Sequence, residues 1–248
     1  MKEDIIEKLI QKTIGLYCDN FLINPDDARS KYKNMINHYT GKCDDSWALN
    51  LRNNWYESLK TKADYSGYND DWYFTDMLAC FKIYSSKYIK LISKLGLNPK
   101  SIIDLGCGLG ITSQMLKEYF KCDVIGTNLK DTKQWRFCKT HMNVVETYEE
   151  KADTIFASEY FEHIQDATDH LTNIINKNAP NTLIMANSFT AKSFGHFNTY
   201  INKNNNNFPK LIDCKNMTRH FSMLLKENGY KKHDQKFWNN RPQVWIKI

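Results

Sequence analysis

Two short stretches hold residues whose types and spacing suit chemistry. The first is "SEYFEHI" at 158–164, where Glu159, Glu162 and His163 bring two carboxyls and an imidazole together. An imidazole with an ordinary pKa near 6.5 suits proton transfer at neutral pH, which makes His163 a candidate general base. The same three side chains, completed by His196 of "FGHF", equally describe a donor set for Mn²⁺, Fe²⁺, Co²⁺ or Zn²⁺. A third reading gives the cluster a structural or substrate-orienting task, and the residues alone leave all three open. The second stretch is "IIDLGCGLGITS" at 102–113, an apolar run, one acid, and then glycines at alternate positions. Gly106, Gly108 and Gly110 permit a sharp turn and remove side chains where a ligand would approach the backbone. The spacing departs from Gly-x-Gly-x-x-Gly, so the nicotinamide fingerprint is unmatched. Asp104 argues against a pyrophosphate, which it would repel, and suits a cationic ligand or an ammonium group. A tight strand-to-helix turn without a ligand is the plain alternative.

Elements of two kinds must position these groups. Up to residue 95 the pattern is helical: Ile5, Ile6, Leu9 and Ile10 share a face, as do Trp47, Leu51, Trp55 and Leu59. From Asn69, Tyr73, Met77, Phe81, Tyr84, Tyr88, Leu91 and Leu95 recur at helical spacing, with a break near Ser85 and Ser86 and a stop at Gly96. Beyond Pro99, short apolar runs at 101–106, 122–127, 143–147, 153–158 and 182–188 alternate with mostly helical stretches. Strands interleaved with helices predict an α/β fold with a doubly wound, mostly parallel sheet. "YKKHDQKFW" and "PQVWIKI", joined across "NNR", predict an antiparallel C-terminal edge hairpin, bringing the sheet to seven strands. The boundaries read as a helical extension or cap at 1–85 followed by a Rossmann-like domain at 86–248, with "NKNNNNF" at 202–208 as a mobile surface loop.

Composition narrows the classes. The chain of 248 residues is 42% hydrophobic and 25% charged, ordinary for a globular protein. Seven scattered cysteines form no Cys-x-x-Cys pair, so reduced thiols and a cytoplasmic setting are expected. No apolar run approaches the roughly 20 residues that span a bilayer, so no membrane partner is expected. A net charge of +6 favours anionic partners without specifying one.

The residues "IIDLGCGLG" resemble motif I of the class I S-adenosylmethionine-dependent methyltransferases, and "FASEYFEHIQD" resembles the segment after strand 4 in the same superfamily. The resemblance covers about residues 86 to 248 and implies that S-adenosylmethionine is used and S-adenosylhomocysteine released. By it, Asp104, Gly106, Cys107 and Gly108, with Gly110, hold the methionine part, and Glu159 lies beside the cofactor. The family's acid at the end of strand 2 is replaced by Asn128, with Asp131 as an alternative ribose partner or a helix N-cap. Adenine contacts fall to Leu129, to Trp135 or to the short loop "YEEK". His163 and Glu162 are the catalytic candidates; Glu159, Glu162, His163 and His196 form the alternative metal set, resembling metal-dependent small-RNA 2′-O-methyltransferases. Tyr65, Tyr68 and Trp72 stand where the superfamily often carries a lid. The acceptor implied is a small molecule or nucleotide. Nucleic acid is the alternative, though Asp-Pro-Pro-Tyr, Asn-Pro-Pro-Tyr and Pro-Cys are all absent, which weakens base methylation. A non-catalytic partner subunit that keeps the fold is the reading from a different class.

Overall fold

The computed structural model describes residues 3–42, 46–146, 151–204, 206–235, 237 and 240–248. In chain order the helices are α1 (Glu3–Phe21), α2 (Pro25–Tyr39), α3 (Ser46–Ser58), α4 (Asp71–Cys80), α5 (Ser86–Ile92), α6 (Ile111–Phe120), α7 (Lys133–Cys138), α8 (Ala167–Asn178) and α9 (Met217–Glu227). The strands are β1 (Ser101–Leu105), β2 (Asp123–Thr127), β3 (Val144–Val145), β4 (Thr154–Ser158), β5 (Thr182–Ala186), β6 (Thr199–Ile201), β7 (Leu211–Asp213), β8 (Tyr230–Lys232) and β9 (Gln243–Lys247). Two compact units are formed, one from residues 1–98 and 106–147 and the other from 99–105 and 148–248.

In the first unit the helical expectation holds with adjusted faces. α1 buries Ile6, Ile10, Ile14 and Tyr17, one residue per turn, while Ile5 is exposed. α2 begins where Asn24 Oδ1 accepts from the Asp26 and Asp27 amides and Pro25 supplies a first-turn residue that needs no donor. The helix expected from Asn69 is interrupted at the anticipated place: a π-helical segment, Phe81–Ser85, separates α4 from α5. Gly96, at φ 67°, ends the run in the left-handed conformation that glycine adopts without a Cβ penalty.

The main sheet has seven strands in the order β3-β2-β1-β4-β5-β9-β8. β1 with β4, β2 with β3, and β4 with β5 run parallel, and β9 is antiparallel to both β5 and β8. In β1, β4 and β5 four of five residues are buried, which is why these strands read as unbroken apolar runs. The C-terminal pair differs from the hairpin expected across "NNR". β8 ends at Lys232, and its partner starts only at Gln243. The polar run after Lys232 offers no alternating apolar face, and of the expected strand, Lys236 and Trp238 lie outside the described residues. β6 and β7 form a separate antiparallel pair that the sequence reading passed over, with Tyr200 opposite Ile212 and both buried. The described residues of the loop between them are tied at both ends rather than loose: the buried Asn202 side chain donates to the carbonyls of Phe208 and Pro209. The amides of Lys203 and Asn204 donate to the Asp169 carboxylate of α8 at 2.7 and 3.1 Å.

Candidate active site

The first unit contributes the glycine loop. Gly106, Gly108 and Gly110 all have positive φ, and α6 starts directly after them. A Cβ on Gly108 would lie 2.7 Å from Met77 Sδ, so α4 presses a thioether onto the loop where the sequence reading reserved room for a ligand. The loop is fastened to β2: the Cys107 amide donates to Thr127 O at 2.9 Å and the Gly106 amide to Thr127 Oγ1 at 3.1 Å. Gly126 makes this contact close enough, because a Cβ there would meet Cys107 Sγ at 2.6 Å. That requirement has no local sequence signal apart from a glycine inside an apolar strand.

Asn128 braces the same loop. Its Nδ2 donates to Gly108 O at 2.8 Å, and its Oδ1 accepts from the Leu129 amide at 3.0 Å. The Oδ1 keeps one further lone pair for a hydroxyl. Leu129 is 58% exposed, whereas Trp135 packs against Cys107, Cys138 and Val144. Of the third adenine candidate, "YEEK", the residues Tyr148, Glu149 and Glu150 lie outside the described residues. Asp131 is not the helix cap; Thr132 is, its Oγ1 accepting from the Trp135 amide at 3.1 Å. Asp131 instead takes a positive φ of 64° just before it.

The lid candidates also lie in the first unit. Tyr65 stacks on Tyr68, and the Tyr68 carbonyl accepts from the buried Gln134 amide of α7. Lys133 adds a backbone bond to Asn69 Oδ1 at 3.2 Å and an ion pair with Asp71 at 2.5 Å. Residues 68–77 are thus clasped to α7 and, through Met77, to the glycine loop.

The second unit carries the acids. Asp104 is 2% exposed near the carboxyl end of β1, paired in register with Phe156 of β4. Glu159 follows β4 in a left-handed conformation, φ 51°, unusual for a residue with a side chain. Its amide donates to Ala186 O at 2.7 Å. Its carboxylate accepts from Arg241 Nη1 at 3.0 Å, and the same nitrogen donates to Ser188 Oγ. Glu162 is fully buried in a 3₁₀ turn, Phe161–His163; its Oε1 accepts from the Ser188 amide at 2.5 Å and its Oε2 meets no donor. Burial, and then the neighbouring Glu159 charge, hold the Glu162 carboxyl well above the usual range. Burial raises the Glu159 carboxyl as well, with the Arg241 charge opposing it, so of the two acids Glu162 is held further toward its protonated form.

The imidazoles occupy a separate arrangement in this unit. His163 and His196 meet edge to face, centroids 4.7 Å apart. His163 bonds the Gly195 carbonyl, and His196 Nδ1 bonds Ala191 O at 2.8 Å. Burial pushes His163 well below 6.5 and His196 down to about 4, so both rings are neutral at pH 7. The alternative metal set thus falls into an Arg241-paired carboxyl pair and two carbonyl-bonded imidazoles. Among the described residues no group of three or more His, Cys, Asp or Glu side chains is placed to hold a metal ion. Sequence reasoning missed Arg241 and Ser188, which lie 82 and 29 positions beyond Glu159 and join it through the order of the strands.

The strand order defines an α/β protein built on a mostly parallel seven-stranded sheet. A family profile described as a methyltransferase domain matches residues 81–236, more than half of the chain. The chain belongs to the class I S-adenosylmethionine-dependent methyltransferase family. An O-methyltransferase family protein from Burkholderia thailandensis shares the fold, at a TM-score of 0.50 and 12% identity over 71% of this chain and 59% of that one. Human N-acetylserotonin methyltransferase gives 0.49 and 12% over 71% and 55%. Magnesium protoporphyrin IX methyltransferase from Synechocystis gives 0.48 and 12% over 82% and 92%. The chain therefore spans less than two thirds of the length of the first two. No curated protein matches it. Among the described residues no helix is long and apolar enough to cross a membrane.

Proposed function

We propose that this protein transfers a methyl group from S-adenosylmethionine to a small-molecule or nucleotide acceptor. One observation carries the reading: a buried carboxylate, Asp104, stands two residues before a loop of three positive-φ glycines at the carboxyl end of a parallel strand. Such a loop gives a ligand backbone contact, and the acid suits an ammonium group. Asp104 takes the amino group, with Gly106, Cys107, Gly108 and Gly110 forming the backbone cradle. Asn128 offers its remaining lone pair to a ribose hydroxyl, and Leu129 covers the adenine. The cofactor, when bound, supplies an already activated methyl on sulfonium, so the protein's task is alignment and exclusion of water. Residues 68–77, already clasped to α7, serve as the cover. His163 is the proton acceptor for a hydroxyl nucleophile, although burial lowers it well below the ordinary imidazole value that first suggested the role and so makes it a weaker base than a free imidazole. The buried Glu162 positions the turn that holds it.

Calorimetric titration with S-adenosylmethionine and S-adenosylhomocysteine tests this. Micromolar binding, on the order of −8 kcal/mol, is expected for the wild type, with at least a tenfold loss in Asp104→Ala. Absence of binding to the wild type would overturn the reading and leave a non-catalytic partner subunit.

A further inference from the structure

Arg241 reaches the Glu159–Glu162 pair from the segment before β9, within the second unit. A guanidinium carries five N–H donors on a planar fork. Nη1 spends its two on Glu159 Oε1 and Ser188 Oγ. The Nε and Nη2 edge, whose spacing matches two oxygens of a carboxylate or phosphate, has no partner among the described residues. The side chain keeps 24% of its surface, so that edge is not sealed from ligand. Nor is the guanidinium free to swing: Glu159 grips one end, and the Ser188 that Arg241 also contacts is pinned by its amide to Glu162 at 2.5 Å. A partly buried donor fork, fixed in place and half used, is poised to gain hydrogen bonds from an anion.

We propose that the open Nε/Nη2 edge of Arg241 receives a carboxylate or phosphate of the methyl acceptor, so that Arg241 selects an anionic acceptor. The assignment rests on the methyltransferase reading and narrows its acceptor class. A lysine would serve poorly here, because its point charge cannot hold Glu159, Ser188 and a bidentate anion at once. Glu159 acts against the acceptor's charge, so the affinity is a balance of the two.

The test is a set of cofactor-free titrations with two matched pairs of probes, salicylate against salicylamide and ribose 5-phosphate against ribose. For the wild type at least one anion is expected to bind tenfold or more tighter than its neutral counterpart, and the arm that responds tells carboxylate from phosphate. Arg241→Gln is expected to abolish the preference and Arg241→Lys to lose most of it. Glu159→Gln keeps the guanidinium, removes the competing charge, and is expected to tighten anion binding several-fold. That response is one that a merely structural Arg241 would not give. Equal preference in wild type and Arg241→Gln, weaker anion binding in Glu159→Gln, or no preference in the wild type would each overturn the assignment. So would a short single-stranded RNA that outcompetes both anions. S-adenosylhomocysteine is titrated separately, so failure of the cofactor reading is distinguished from failure of the acceptor assignment.

Discussion

At Gly126 a single hydrogen atom separates β2 from the Cys107 thiol of the glycine loop. Its substitution by alanine would force Cys107 and Met142 apart, since the new Cβ would sit 2.6 and 2.7 Å from them. Overpacking of this kind costs about 1–3 kcal/mol, read as a lower urea midpoint at unchanged m-value. Two buried groups give opposite pH signatures. Glu162 binds its proton more tightly folded than unfolded, so its contribution is complete below about 4.5 and is lost as pH rises through the raised folded value. Glu162→Gln keeps an acceptor for the Ser188 amide and removes that decline; urea titrations at pH 5 and pH 8 should show the wild type falling relative to the variant. His196 behaves in reverse: its contribution is complete above about 6.5 and is lost as pH falls toward 4. The loss amounts to about 3 kcal/mol, and a non-titrating His196→Gln should remove that acid dependence. At this scale the sequence disclosed residue types well and partners poorly. Glu159, Glu162 and His163 stood out together, but nothing local says that Arg241 would hold Glu159, or that Thr132 rather than Asp131 would cap α7.

The elements followed from periodicity wherever a face was apolar. β1, β4 and β5 were legible because burial on both sides leaves no polar positions to interrupt them. The π-helical segment was legible in place and not in kind, since Ser85 and Ser86 mark an irregularity without specifying it. β6 and β7 were hidden because three residues each give too few repeats for a period of two, and the asparagine run between them reads as polar punctuation. What fixes Lys203 and Asn204 at its start is Asp169, a helical residue more than thirty positions away that accepts from both amides. Asp169→Ala should leave both amides without their acceptor, cost about 1–3 kcal/mol, and open residues 202–210 to limited proteolysis. Unchanged cleavage in the variant would show that the asparagine-side bonds to Phe208 and Pro209 suffice alone.

At the level of the whole chain, the first compact unit joins the N-terminal helices to residues 106–147. A chain starting at residue 86 would discard α1 to α4, including α1, which packs on α6 and through Tyr17 on Phe137 of α7, and α4, whose Asp71 pairs with Lys133 of α7. Such a truncation is expected to lose cooperative unfolding in calorimetry, whereas a detachable extension would leave a sharp transition. The same instrument reports the cofactor. Ligand at about 100 times its Kd stabilises by about 2.7 kcal/mol, which for a chain of this size raises Tm by on the order of 5–10 °C. β5 is flanked by β4, made before it, and by β9, made roughly 56 residues later. At about 5–20 residues per second the nascent chain carries an unpaired β5 edge for several seconds. That edge is apolar and otherwise finished, a template for pairing with a neighbouring chain on the same messenger. Expression yield should therefore depend on holdase chaperones during elongation more than on the equilibrium stability of the finished fold.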